Sequence, residues 1–83
     1  MTELGITTHA RERFLQRMGR HSADKEMQEA VRRLIYRRPD DWHKPPKGHW
    51  RLPIDGGSII VAPDRYGLKR LVTITVLNGH MAA

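Results

Sequence analysis

His9, Arg13 and Arg17 follow one another at four-residue spacing. On an α-helix each step of four leaves side chains only about 40° apart around the axis, so the three predict one cationic stripe. Ala10, Phe14 and Met18 repeat the spacing one residue later, which sets the polar stripe at the border of a buried face. A histidine in the first helical turn meets the positive end of the helix dipole as well as Arg13, and both work against a second proton on its ring. Such an imidazole can act as a general base toward a ribose 2′-hydroxyl. Two guanidinium groups beside it suit the phosphoryl oxygens on which charge builds during phosphodiester cleavage. In the alternative reading His9 packs beside the helix cap and the arginines pair with Glu26 or Glu29 of a second helix.

Thr73 and Thr75 are the other candidates for this chemistry. Strand alternation predicts Val72, Ile74 and Val76 on one face and both threonines on the other. With the apolar trio on the core, two hydroxyls lie beside Arg51 or His49. They either orient a substrate or form an ordinary solvated threonine face.

A second cationic group, Arg32, Arg33, Arg37 and Arg38, crowds the end of the next helical segment. Cations favour a helix C-terminus, but four arginines exceed what the dipole requires. With Lys44, Lys47 and Arg51 they predict a surface that tracks phosphates. Trp42 and Trp50 flank the intervening loop and are suited to stacking on bases. Trp50 shares a face with Leu52 and Ile54 and is expected in the core, which leaves Trp42 as the exposed stacking candidate.

Two helices and three strands must position these residues. Thr8 caps a helix over 9–19 that Gly19 stops, and Ser22 caps a helix over 23–37 that Pro39 ends. In the second helix Met27, Ala30, Val31, Leu34 and Ile35 form an apolar stripe. A proline-rich loop fills 38–48, after which the period changes from 3.6 to 2. Strands are expected over 49–55, 58–62 and 69–77, joined by turns at Gly56-Gly57 and Pro63–Gly67, with a frayed tail from Asn78. Pro53 cannot donate to a ladder, so its strand belongs at a sheet edge. The fold class is α+β in one domain, 1–83: two N-terminal helices on an antiparallel meander of three strands, or four.

Composition narrows the function. The 15 Lys+Arg against 9 Asp+Glu leave a formal charge of +6 in 83 residues, which favours a polyanionic partner. The chain has no cysteine, which excludes disulfides, thiolate nucleophiles and sulfur-ligated zinc. The histidines at 9, 21, 43, 49 and 80 lack metal-ligand spacing, and neither paired catalytic carboxylates nor a phosphate-cradling glycine loop is present, so no metal or cofactor is expected. The opening Met1–Gly5 lacks a basic, apolar leader, and no apolar run approaches the ~18 residues of a membrane span, so a cytoplasmic location without membrane contact is expected.

Thr8-His9-Ala10-Arg11-Glu12-Arg13 with Arg17 downstream, a second helix ending near a proline, and the terminal Val72-Thr73-Ile74-Thr75-Val76 together resemble a known pattern. It is that of a family of small bacterial and phage domains reading T-x-H-A-x-x-R-x-x-x-R before a final V-V-T-V strand. That family looks like a branch of the superfamily that holds RelE-type toxins, colicin-type tRNA nucleases and EndoU ribonucleases. The chain departs from the pattern in its longer proline-rich loop and in Val76-Leu77, where an aromatic is usual. The resemblance implies a RelE/barnase-like fold and a toxin-like, metal-independent endoribonuclease. His9, Arg13 and Arg17 would match its first motif, and Thr73 or Thr75 its terminal strand. RNA is then the expected substrate, while the arginines also suit an acidic protein partner, such as an antitoxin or host protein. The alternative is a non-catalytic basic module of phage or mobile-element origin that binds nucleic acid or a host protein.

Overall fold

The computed structural model describes residues 3–66 and 69–78. Its elements run β1 (Leu4–Ile6), α1 (Thr8–Met18), α2 (Ala23–Arg37), β2 (Trp50–Ile54), β3 (Gly57–Pro63) and β4 (Leu71–Asn78). The strands form one sheet in the order β1-β4-β3-β2. β1 pairs with β4 in parallel, and the other pairings are antiparallel. The sheet is therefore four-stranded and mixed, where the alternation predicted an antiparallel meander. Three residues are too short to show a period, and β1 finds its partner at the far end of the chain, closed by the Leu71 N–H donating to the Glu3 carbonyl at 2.8 Å. Asn78, expected to open a frayed tail, is instead the last residue of β4 and lies opposite Gly57; Gly67 of the second turn and the rest of that tail, His80 included, lie outside the described residues.

Both helices cover one sheet face, α1 over β4 and α2 along β2. Thr7, rather than Thr8, caps α1: its Oγ1 accepts from the Ala10 N–H at 3.1 Å. Gly19 ends the helix in the left-handed region at φ 69°, where a side chain would be strained. Ser22 flanks α2 without capping its backbone; its hydroxyl donates to Glu26 instead. Ala10 and Phe14 from α1 and Met27, Ala30, Val31 and Leu34 from α2 are buried against Leu52, Ile59, Val61, Leu71 and Val76 of the sheet. Pro53 does fall on the edge strand. β3 takes in Gly57, leaving Gly56 at φ 87° to make the turn, and Lys69 and Arg70 precede β4.

An irregularity in β4 changes which residues face the core. Ile60 is opposite Thr75 and its neighbour Val61 is opposite Thr73, so Ile74 is an extra residue with no partner on β3. Adjacent residues of β3 face opposite ways, so Thr73 and Thr75 do too. Thr73 turns inward with Leu71 and Val76, and Ile74 is 50 % exposed. The alternation expected from the sequence, with Ile74 inside and both threonines outside, is corrected by this bulge.

Two ion pairs fasten the helices. Arg11 grips Asp24 through both carboxylate oxygens at 2.8 and 3.0 Å. Arg20, just beyond α1, grips Glu26 at 2.7 and 2.6 Å, donates to the Asp55 carbonyl at 2.7 Å, and sits 5.2 Å from the centre of the Phe14 ring. The Arg20 hydrogen bonds hold the Glu26 carboxyl down at about 2, against the opposing effect of burial. Arg11 and Arg20 thus join the α1 end of the molecule to α2, two arginines that the sequence reading did not single out.

Candidate nucleic-acid interface

The apolar positions of α2 at 27, 30, 31 and 34 leave Arg32, Arg33, Tyr36 and Arg37 on its solvent side. Beside them runs β2, the edge strand. Two grooves lie along this junction. One, of about 650 Å³, is lined by Leu34, Arg37, Arg38, Pro39, Asp40, Asp41, Trp50, Arg51 and Leu52. The other, of about 560 Å³, is lined by Ala30, Arg32, Arg33, Tyr36, Arg37 and Pro53. Arg37 lines both, so they form one strip.

Charge along the strip is largely uncompensated. Arg32, Arg33 and Arg37 are exposed and make no hydrogen bond or ion pair among the described residues. Arg51 donates to Ser58 Oγ across the sheet at 3.1 Å. Arg38 is engaged differently: it reaches Asp41 at 3.0 Å and lies 4.9 Å over the centre of the Trp50 ring. Of the residues expected to bind nucleic acid, Arg32, Arg33, Arg37, Arg38 and Arg51 come together here. Lys44 and Lys47 are exposed on the loop but line neither groove.

Trp50 packs against the core as expected, but Trp42, expected to be exposed, is buried as well. Trp42 is only 8 % exposed and belongs to the core, because its N–H continues the helical turn by donating to the Arg38 carbonyl at 3.0 Å. Its ring meets His43 edge-on at 5.2 Å, and its own carbonyl accepts from Trp50 Nε1 at 2.7 Å. Trp50 is the half-buried ring that faces the groove. Tyr36, 89 % exposed, is the aromatic that sequence reasoning missed. Its position off the apolar stripe, between Arg33 and Arg37, was the available signal.

The stripe on α1 is only partly assembled. His9 is exposed, and Arg13 Nε approaches its Nε2 at 3.5 Å, the long limit of a hydrogen bond. Arg17 is half-buried. None of His9, Arg13, Arg17, Thr73 and Thr75 lines either groove. The two hydroxyls lie on opposite sheet faces, and Thr73 Oγ1 is fully buried without a hydrogen-bond partner among the described residues. A buried, unsatisfied hydroxyl costs stability, whereas a methyl of similar shape does not. Thr73→Val is accordingly expected to be neutral or to raise stability by up to about 1 kcal/mol in urea unfolding. A loss of 2 kcal/mol or more would show that the hydroxyl has a partner.

Among the described residues no group of three His, Asp or Glu is placed to hold a metal ion, and no helix is long and apolar enough to cross a membrane. Comparison with family models, curated proteins and solved structures returned no match to this chain.

Proposed function

We propose that this chain binds single-stranded RNA along the α2–β2 strip as a non-catalytic basic module. The supporting observation is the row of three arginines, Arg32, Arg33 and Arg37, that have no hydrogen-bond or ion-pair partner among the described residues and lie near the rings of Tyr36 and Trp50. Guanidinium groups supply sequence-independent attraction to phosphates. Unpaired bases have free faces to lay on aromatic and guanidinium planes, which a duplex does not offer. Titration of a labelled RNA oligomer at several salt concentrations tests the reading. Three to four phosphate contacts give a slope of log K against log salt of about −2 to −3 for a single strand. Salt-insensitive or absent binding overturns it, and nuclease-resistant capture of an acidic protein would replace RNA with that partner.

A second reading, an endoribonuclease on a RelE/barnase-like fold, draws on the approach of Arg13 to His9 and on the order of two helices before the main sheet. It expects pure protein to cleave RNA in the presence of EDTA and His9→Ala to abolish the cleavage. RNA left intact by the unaltered protein at high concentration removes it.

A further inference from the structure

We infer that the groove beside Trp50 holds one unpaired base that carries an exocyclic amino group, and that it excludes uracil; the inference rests on the RNA-binding reading above. It begins with Arg38. Held to Asp41 at 3.0 Å and lying 4.9 Å over the Trp50 ring, this guanidinium is already paired on two sides, which makes it a poor phosphate ligand. It lies instead over the indole ring, where a guanidinium plane can stack on a base as an aromatic ring does. Arg37 and Arg51 line the same groove and are left to take the flanking phosphates.

The groove also contains Asp40, an exposed carboxylate with no hydrogen bond or ion pair among the described residues. A phosphate placed there would be repelled, so the edge of the ligand that meets Asp40 must be a hydrogen-bond donor. Cytosine, adenine and guanine each present an amino group on the Watson–Crick edge, and aspartate accepting from a cytosine amino group is an established pairing. Uracil presents one N–H between two carbonyl oxygens, which would face the lone pairs of the carboxylate. Base selection here comes from Asp40 and stacking from Arg38 on Trp50, with Asp41 as the residue that positions Arg38.

The test compares RNA nonamers of uridine that carry, at the centre, cytidine, uridine or an abasic site. Cytosine and uracil stack alike and differ on the edge that Asp40 would meet. The unaltered protein is expected to bind the cytidine oligomer about tenfold more tightly than the uridine one. Asp40→Asn, whose amide both donates and accepts, is expected to erase that preference, because the repulsion that tells against the uridine oligomer is gone. Arg38→Ala is expected to weaken the cytidine oligomer about tenfold and to leave the abasic one unchanged. Melting curves establish that both variants fold. Equal binding of the cytidine and uridine oligomers by the unaltered protein, or equal weakening of the abasic oligomer by Arg38→Ala, overturns the inference and leaves RNA binding standing. Failure to bind any of the three oligomers overturns RNA binding itself.

Discussion

Replacing Arg32, Arg33 and Arg37 together by alanine is expected to weaken binding of a single-stranded RNA about a hundredfold at about 0.1 M salt. Each phosphate contact to a single strand contributes about 0.7 to the slope of log K against log salt, and at that concentration the same 0.7 log units is roughly fivefold in affinity. Three contacts therefore remove about 2 units of slope together with two powers of ten in affinity. The three side chains are exposed and without partners among the described residues, so each substitution should change stability by less than about 0.5 kcal/mol. Arg11→Ala serves as a control for a single lost charge, since it removes one exposed arginine that is tied to Asp24 and lies away from both grooves. A triple variant that keeps the original salt slope would place the RNA elsewhere on the molecule.

The largest effect on stability is expected at Glu26. Its carboxylate accepts from Nε and Nη2 of Arg20 and from the Ser22 hydroxyl, and Arg20 joins the α1–α2 connection to the β2–β3 turn by donating to the Asp55 carbonyl. Glu26→Gln should cost about 2 kcal/mol near neutral pH, the scale of hydrogen bonds to a charged group. The effect depends on pH in a definite direction. The folded-state value, about 2, lies below the ordinary 4.5, so the contribution is fully present above pH 4.5 and fades as pH falls toward 2. Urea midpoints of the two proteins should differ most above pH 5 and converge at the acid end. A gap that stays constant from pH 6 to pH 2.5 would mean that the loss has another cause.

Legibility from the sequence depended on how local the cause was. The α2 stripe was readable because a packed helix repeats its apolar residues every three or four positions, and Met27, Ala30, Val31 and Leu34 are all buried. Gly19 and Pro53 were readable for an equally local reason, one through its freedom at positive φ and the other through its missing N–H. β1 was not, because Leu4–Ile6 is a strand only by virtue of β4. The bulge at Ile74 was hidden too: Leu71–Leu77 alternates without a glycine or proline, so nothing announces the extra residue that reverses the face of Thr73. The same limit explains the tryptophans. Which of two rings near a loop is buried depends on how the chain leaves α2, and here the turn from Arg38 to Trp42 carries the first one inward.

At the interface the basic residues were legible and the catalytic geometry was not. Arg32, Arg33, Arg37, Arg38 and Arg51 share one strip because helix periodicity and strand alternation each place them outward. A site combining His9 with two threonines needed a register between α1 and β4 that spacing within either element cannot supply.

The pairing of β1 with β4 also constrains how the molecule comes into being. When the protein is synthesised, the first strand and α1 leave the ribosome long before β4, the strand that both of them rest on, exists. Their greasy sides stay uncovered until the residues of β4 have emerged, so the amino end of the chain waits on its last strand for its packing partner.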